Sequence, residues 1–232
     1  IKKYISKDIQ ILEVGGGIHL LTDYLNENKY YITSIEPGNF AEYIDDLRND
    51  ILKISKLQII NDKIENIKDD LKFDFIFSQN VLEHTQNLKK HLLKCISHLK
   101  DEKSILLIRS PNYSFPFEPH FYKFFLPFFP NFTFNKLLKK KLIRELGEKQ
   151  YYNIISNLNF NCKFTSIKKL NLNVFFIHPI SEIFERIEND PVFRDRLLKN
   201  KIIKFFINFI KFAGLKKLLV KIVPISLSPY LI

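Results

Sequence analysis

The 232-residue chain contains no methionine, no tryptophan and only two cysteines. Cys95 and Cys162 are too few for a disulfide framework and do not have the spacing of metal ligands, so a reducing cytoplasm is the expected location. Because the sequence begins at Ile1 and lacks methionine, we expect the natural N-terminus to lie upstream of it. Hydrophobic residues make up 46% and charged residues 26%, which is typical of a folded, soluble domain and argues against disorder.

Glycine is also scarce, but three of the six glycines are consecutive. Gly15-Gly16-Gly17 follow the short apolar run Ile11-Leu12-Glu13-Val14 and precede a helical pattern from His19 to about Asn28. A strand, a turn that tolerates positive φ and then a helix are typical of the nucleotide-binding corner of a doubly wound α/β fold. In such a corner, backbone N–H groups and a helix N-terminus face the ligand.

A second acid follows the next apolar run, Tyr31–Ile35. Glu36 comes about twenty residues after the glycines, where a carboxylate can accept both hydroxyls of a ribose. Strand and helix patterns then alternate as far as Pro111-Asn112, which predicts parallel strands with right-handed crossovers and a sheet covered on both faces. The further elements that we expect are strands at Leu57–Ile60, Phe73–Ser78 and Ser104–Arg109, and helices at Phe40–Lys53 and His84–Leu99.

Five short motifs resemble, in order and spacing, those of class I S-adenosylmethionine-dependent methyltransferases, in particular the small-molecule type found in bacterial polysaccharide and lipid pathways. They are Glu13-Val14-Gly15-Gly16-Gly17, Ile35-Glu36-Pro37, Asn61-Asp62, Phe73–Ser78 and Val81-Leu82-Glu83-His84. The resemblance covers residues 9–112. It implies a Rossmann-like, mostly parallel seven-stranded sheet and S-adenosyl-L-methionine as cofactor. The sequence departs from the family at His19, where the family often has a further glycine.

The resemblance also implies which residues would bind the cofactor. The glycines would approach its methionine part, an acid would bind the ribose, another would lie near the adenine amino group, and the end of the fourth strand would lie beside the sulfonium. In chain order these residues are Glu13, Gly15, Gly16, Gly17, Glu36, Pro37, Asp62, Ser78, Gln79 and Asn80. Two alternatives would leave the same motifs in place: an NAD-dependent oxidoreductase, or an inactive relic of the methyltransferase fold.

Glu83-His84 is the first candidate for catalysis. The pair is similar to the end of the Glu-x-x-Glu-His motif of metal-dependent O-methyltransferases, but Asn80 stands where the first glutamate should be. The loss of one anionic ligand disfavours Mg²⁺, so we expect no metal site. His84 then acts as a general base, or the two residues simply cap the following helix and line the pocket floor.

The segment from Tyr113 to Phe134 is rich in aromatic residues and proline, with nine phenylalanines. Prolines at this density prevent a long helix, and the aromatic rings require burial or a partner. The segment forms either a local aromatic core or a flap over an apolar substrate. Within it, Glu118-Pro119-His120 loosely resembles a Glu-x-His element of bacterial methyltransferases, which makes Glu118 and His120 the second candidates for catalysis.

The late part of the chain carries most of the net charge of +11. Residues 194–221 contain nine basic side chains against Asp195 alone, and Lys201–Lys211 has the pattern of a basic amphipathic helix with too many lysines for a membrane span. The simplest interpretation is a surface helix that packs on its own domain. Peripheral contact with an anionic membrane is the alternative, and nucleic acid is disfavoured because no RNA-binding motif is present.

These patterns predict a single methyltransferase domain over residues 1–232. Its expected parts are a cofactor-binding core at 9–112, a flap with helices at 113–158 and a basic helical insertion at 178–222 before the last strand. Smaller expectations are a helix at Lys136–Leu158, strands at Phe160–Lys168 and Ile225–Ile232, and surface positions for His91 and His98. The expected reaction is methylation, at oxygen, of a small-molecule, saccharide or lipid-like acceptor. An inactive module that binds a membrane or a partner is the alternative.

Overall fold

The computed structural model describes residues 4–37, 57–121, 123–126, 128–172, 175–198, 201–225 and 230–231. The chain divides into two compact units. The first consists of residues 1–110 and 149–159, and the second of residues 111–148 and 160–232. The helix expected at Phe40–Lys53 lies outside the described residues.

Five parallel strands form the sheet of the first unit, in the order β3-β2-β1-β4-β5. This order confirms the doubly wound α/β fold, and the strands lie within two residues of their predicted positions. Their bounds are Gln10–Val14 (β1), Tyr31–Ile35 (β2), Gln58–Ile60 (β3), Phe75–Gln79 (β4) and Ile105–Pro111 (β5). The helices of this unit are Leu20–Glu27 (α1), Leu88–Ser97 (α2) and Glu148–Asn157 (α4). Helix α3 belongs to the second unit and is described below.

Hydrophobic cores cover both faces of this sheet. On one face Ile11 packs in a cluster with Phe75 and Phe77, and on the other Leu12 and Val14 pack in a cluster that includes Ile76 and Cys95. Neighbouring residues of one strand therefore enter different cores, which explains why the central strands are almost continuously apolar in sequence. Both cores hold the strand ends, and with them the polar turns, in fixed positions.

Helix α2 begins later than the sequence predicted. Asn87 caps it, because its side chain accepts a hydrogen bond of 3.0 Å from the backbone N–H of Lys90, and a 3-10 turn at Leu82–His84 precedes it. The expected surface positions of His91 and His98 were wrong, since both side chains are buried. Each finds an acceptor: His91 Nδ1 lies 2.9 Å from Glu65 Oε1, and His98 Nδ1 lies 2.8 Å from the carbonyl oxygen of Leu71.

The aromatic segment opens the second unit. Two short strands of two residues each, Phe117–Glu118 (β6) and Lys123–Phe124 (β7), pair in antiparallel orientation. A helical turn at Pro130–Phe132 continues as a π-helical turn at Thr133–Leu137. Five rings of this unit pack against one another with centroid distances of 5.0–6.3 Å. They belong to Tyr113, Phe121, Phe125, Phe134 and Phe160. A local aromatic core therefore exists; its use as a flap over a substrate stays a prediction.

The helices that follow correspond in part to the predictions. The long helix expected at Lys136–Leu158 is divided at Gly147, whose φ of +83° ends the first half. The strand expected at Phe160–Lys168 was wrong: residues 164–168 form a short helix, which begins after Lys163. Four described helices between Pro179 and Ile222 agree with the helices expected at 178–222, whereas the role of this region as an insertion stays a prediction. The helices of the second unit are Lys139–Leu146 (α3), Phe164–Lys168 (α5), Pro179–Asn189 (α6), Pro191–Leu198 (α7), Lys201–Phe212 (α8) and Lys216–Ile222 (α9).

A small core of the second unit is formed by the buried residues Phe184, Ile187 and Ile207. The short strand Tyr230–Leu231 (β8) falls within the terminal strand that the sequence predicted. The sheet of seven strands itself stays a prediction. Among the described helices, none has both the length and the apolar content needed to cross a membrane.

Candidate active site

The glycine turn lies at the carboxyl end of β1. The backbone N–H groups of Gly15 and Gly16 donate to the carbonyl oxygen of Ile35, at 2.7 and 3.3 Å, so the turn is fastened to the end of β2. Gly15 has a φ of +78°, and a Cβ on it would lie 2.1 Å from Cγ2 of Val81. A side chain at Gly15 would therefore collide with the loop after β4. The turn is a tight bend of bare backbone at the edge of the sheet where ligands of such folds bind.

Glu36 is directed toward this turn. Its Oε2 accepts a hydrogen bond of 2.8 Å from the backbone N–H of Gly17. Partial burial raises the pKa of the Glu36 carboxyl, and the Gly17 N–H opposes that rise by stabilising the ionised form. Pro37 is exposed beside it. The acid at the end of β2 is therefore joined to the glycine turn, and its role in binding a ribose stays a prediction.

Glu13 is a second acid next to the turn, and it is buried. Its carboxylate accepts a short hydrogen bond from the hydroxyl of Thr22 on α1. Burial raises the pKa of Glu13 to about 7, the Thr22 hydroxyl lowers it, and the negative charge of Glu36 contributes a smaller rise. Two carboxyl groups with raised pKa values thus flank the glycine turn. Such a site favours a ligand with positive charge.

His19 explains how the chain tolerates its departure from the family pattern. The residue has a φ of +55°, a left-handed conformation in which glycine is preferred. Its ring is buried, and Nδ1 shares a hydrogen bond of 2.8 Å with Oγ of Ser34 in β2. A Cβ on Gly16 would lie 2.1 Å from that Ser34 oxygen and 2.4 Å from the His19 nitrogen. Gly16 is therefore required by the His19–Ser34 pair behind the turn.

Asp62 and the end of β4 complete the same edge of the sheet. Asp62 follows β3, and its Oδ1 accepts hydrogen bonds from the Lys63 N–H at 2.6 Å and from Asn66 Nδ2 at 2.7 Å. The hydroxyl of Ser78 is buried and has no hydrogen-bond partner among the described residues. Gln79 and Asn80 are exposed, and Asn80 has a φ of +57°, in the left-handed region that asparagine tolerates better than most residues.

Glu83 and His84 lie in the 3-10 turn that follows. Glu83 is buried, and its Oε2 accepts a hydrogen bond of 3.2 Å from the Ser110 hydroxyl. His84 is exposed, and its Nδ1 lies 3.1 Å from the carbonyl oxygen of Asn157. The side chain that caps α2 is that of Asn87, so the capping role considered for Glu83 and His84 was wrong.

The second unit holds the other candidate pair. Glu118 is fully buried and accepts hydrogen bonds from His120 Nδ1 at 2.6 Å, the Tyr113 hydroxyl at 3.1 Å and the Phe121 N–H at 2.7 Å. His120 is partly exposed. If Nδ1 carries the proton in this bond, the basic lone pair of the imidazole is on Nε2. The sequence predicted Glu118 and His120 as a pair but gave no sign of the part played by Tyr113.

The residues present fit the cofactor that the motifs imply. The turn is packed so closely that a Cβ on Gly15 or Gly16 would collide with a neighbour, and two acids flank it. The Ser78 hydroxyl, which has no partner in the part of the chain that the structure describes, lies at the end of the adjacent strand. A buried hydroxyl without a partner is the kind of group that a ligand satisfies. Thr22 and Ser34, which hold Glu13 and His19, were missed because the sequence alone does not pair residues across elements.

Comparison with known families agrees with this geometry. The sequence model of a family described as a methyltransferase domain matches residues 2–161, more than half of the chain. The chain belongs to the methyltransferase domain family. This match confirms the methyltransferase domain that the motifs predicted.

Individual curated relatives match shorter parts of the chain than the family model does. The chain is 35% identical over 116 residues to an uncharacterized protein of Mycobacterium tuberculosis, covering 48% of this chain and 39% of that protein. It is 31% identical over 98 residues to the ubiquinone biosynthesis O-methyltransferase of Rickettsia typhi, covering 41% of this chain and 38% of that enzyme. The chain thus spans about two fifths of the length of these curated relatives.

A solved S-adenosylmethionine-dependent methyltransferase of Clostridium acetobutylicum aligns with 48% of this chain and 48% of its own, at 17% identity and a TM-score of 0.40.

Proposed function

We propose that the protein transfers a methyl group from S-adenosylmethionine to an oxygen atom of a small-molecule, saccharide or lipid-like acceptor. The observation that carries the proposal is the hydrogen bond from Gly17 to Glu36, which joins the glycine turn of β1 to the acid after β2. Glu36 would hold the ribose hydroxyls, Gly15–Gly17 the methionine part and Asp62 the adenine side. Ser78, Gln79 and Asn80 would line the sulfonium end.

The electrostatics of the turn favour this cofactor over a dinucleotide. Glu13 and Glu36 lie close enough that the charge of Glu36 contributes to the raised pKa of Glu13. A pyrophosphate at this turn would meet two acids, whereas a sulfonium and an ammonium group would be attracted by them. When bound, S-adenosylmethionine supplies an electrophilic methyl group on a positively charged sulfur.

Methylation of a hydroxyl requires that a proton be removed from the acceptor oxygen, while the protein otherwise has to position the reactants. His120 is the base that we favour. The buried Glu118 holds its Nδ1, and this hydrogen bond, together with that from Tyr113, fixes the ring and selects the tautomer with a basic Nε2. His84 is the second candidate, with its Nδ1 close to the Asn157 carbonyl oxygen.

The similarity to an O-methyltransferase of Rickettsia typhi supports oxygen as the methylated atom. We also retain the division of residues 1–232, as one domain, into a cofactor-binding core at 9–112, a flap with helices at 113–158 and a basic helical insertion at 178–222. In this proposal the aromatic rings of the flap make a dry wall for the acceptor. The proposed location is the cytoplasm.

A second candidate function is an inactive methyltransferase-fold module that binds a membrane or a partner. The observation that favours it is the exposed face of α8, where Phe205, Phe209 and Phe212 recur at helical spacing and Lys204 and Lys211 are also exposed. Opposite them, Ile207 is buried in the core of the helical region. A helix with this pattern is suited to the interface of an anionic leaflet, so we keep peripheral membrane contact through 194–221 as part of the proposal.

Calorimetric titration separates these functions. We expect S-adenosylhomocysteine to bind at one site and NADH to give no heat. A relic would bind neither ligand, and an oxidoreductase would bind NADH instead. Transfer of tritium from methyl-labelled S-adenosylmethionine to extracted hydroxylated lipids or saccharides then tests the acceptor class, with Glu36→Ala as the inactive control.

A further inference from the structure

Residues 124–126 and 128–132 include a group of large apolar side chains that are exposed to solvent. Phe124 is 66% exposed, Phe128 88% and Phe129 61%, and Leu126 and Phe132 are exposed as well. Single exposed apolar residues are common on proteins, but five within nine residues are not. This group, which we call the aromatic turn, is distinct from the rings of the aromatic core.

The aromatic turn is held in its shape by the structure beneath it. The Phe129 N–H donates to the carbonyl oxygen of Leu126 at 3.0 Å, which closes a four-residue turn. The buried hydroxyl of Thr133 accepts from the Leu126 N–H at 3.0 Å and donates to the Phe129 carbonyl oxygen at 2.9 Å. One side chain thus ties both ends of the turn to the helical segment that follows.

Phe128 has a conformation that bulky residues rarely adopt. Its φ is +70°, in the left-handed region where turns usually place glycine or asparagine. Glycine at this position would remove both the strain and the exposed ring. A phenylalanine that is both strained and exposed stabilises neither the turn nor the core, which points to a partner outside the chain.

The residues on either side of the aromatic turn keep it in place. Phe125 and Phe134 are buried, and their rings are 5.9 Å apart in the aromatic core. Because these two residues anchor the segment, the rings of Phe128 and Phe129 are presented outward from a fixed base. Little conformational entropy would be lost if a partner covered them.

Positive charge follows directly in the sequence. Lys136, Lys140, Lys141 and Arg144 are exposed on and just before helix α3. Glu145, the acid in helix α3, lies 3.3 Å from Lys123 and 3.8 Å from Lys141, so its charge is balanced locally. The aromatic turn is therefore accompanied by a net positive surface.

We propose that the aromatic turn and these basic residues, at positions 124–126 and 128–144, form a docking surface for an anionic lipid bilayer. Phe128 and Phe129 enter the interfacial region of the leaflet, and the lysines and arginine lie over acidic headgroups. The charge complementarity favours an anionic leaflet over a neutral one. The proposal stands apart from methyl transfer, because no residue assigned to cofactor binding takes part in it.

A single-tryptophan probe tests the insertion directly, since the natural sequence contains no tryptophan. Phe128→Trp places the probe at the turn, and Phe175→Trp is the matched control because Phe175 is also 88% exposed. With vesicles of phosphatidylcholine and phosphatidylglycerol, we expect the emission of Phe128→Trp to shift to shorter wavelength and to be quenched by brominated acyl chains. Phe175→Trp should show neither change. Equal responses of the two variants, or no response of Phe128→Trp, would overturn the proposal.

Co-sedimentation with the same vesicles tests how much the basic residues contribute to membrane binding. Lys140→Gln and Lys141→Gln together should lower the partition coefficient, by about 5-fold for each charge removed. Lys89→Gln with Lys90→Gln, two neighbouring exposed lysines of the first unit, is the control. Binding that is insensitive to Phe128→Ser but lost in Phe209→Ser would assign the contact to α8 and contradict the proposal, as would failure of the natural protein to bind anionic vesicles at low salt.

Discussion

The backbone N–H of Gly17 donates a 2.8 Å hydrogen bond to Oε2 of Glu36, nineteen residues further along the chain. This bond joins the glycine turn to the end of β2, and it holds the Glu36 carboxylate at the edge of the sheet before any ligand binds. A binding group that is already in place loses little entropy on binding. The relationship therefore makes the site preorganised for a nucleoside.

Replacement of Glu36 should weaken cofactor binding. We expect Glu36→Gln to reduce the affinity for S-adenosylhomocysteine about 10-fold and Glu36→Ala about 100-fold, since hydrogen bonds to a charged group contribute about 1.5–3 kcal/mol. Calorimetric titration measures both. Glu27→Gln, at the exposed end of α1, is the control and should bind as the natural protein does. An unchanged affinity in Glu36→Ala would remove Glu36 from the site.

The first and third glycines of the turn should differ in their tolerance of alanine. Both have positive φ, but a Cβ on Gly15 would collide with Val81, whereas a Cβ on Gly17 has open space around it. We expect Gly15→Ala to lower the free energy of unfolding by about 2–4 kcal/mol and Gly17→Ala by about 1 kcal/mol. Urea unfolding measures the difference, and equal losses would mean that the Val81 contact is not as tight as described.

Glu13 should make stability depend on pH. Burial raises its pKa in the folded protein from 4.5 to about 7, so the folded state holds a proton that the unfolded state has already lost. The contribution of Glu13 is complete below pH 4.5 and is lost as the pH rises toward and through 7, by about 3 kcal/mol in total. Urea unfolding at pH 5 and pH 8 should therefore show a larger decrease for the natural protein than for Glu13→Gln. A decrease of the same size in both proteins would contradict the assignment.

Much of the first unit could be predicted from the sequence because its signals are local. Apolar runs of strand length, glycines at the turn and acids after the strands lie next to one another in the chain, and the parallel order follows from strand–helix alternation. For α2, the signal for burial was also present: His91 and His98 follow Leu88 at intervals that place all three on one helix face. The spacing placed these residues on one helix face, but because histidine is polar, we expected that face to lie at the surface.

Other features depend on contacts between distant residues. Phe160–Lys168 has the alternating pattern of a strand, yet residues 164–168 are helical and the ring of Phe164 packs on that of Phe176. Propensity alone does not decide such short segments when packing opposes it. Likewise, the support of Glu13 by Thr22 and of His19 by Ser34 arises only when α1 and β2 fold against the turn.

The buried carboxylate of Glu118 should be important for the second unit. Glu118→Ala removes three buried hydrogen bonds, from the Tyr113 hydroxyl, His120 Nδ1 and the Phe121 N–H, so we expect a loss of about 2–4 kcal/mol in the free energy of unfolding. Tyr113→Phe removes only one of these bonds and should cost about 1 kcal/mol. Urea unfolding compares the two variants, and ¹⁵N NMR of the imidazole should find the proton of His120 on Nδ1. A proton on Nε2 would exclude His120 as the base that we favour.

The central claim is that the glycine turn and Glu36 together bind the adenosyl group of the cofactor. The most direct test is a crystal structure of the protein with S-adenosylhomocysteine. The account predicts the two ribose hydroxyls within hydrogen-bonding distance of the Glu36 carboxylate and the homocysteine against Gly15–Gly17, beside Ser78. Density for the ligand elsewhere, or a ribose that does not contact Glu36, would contradict it.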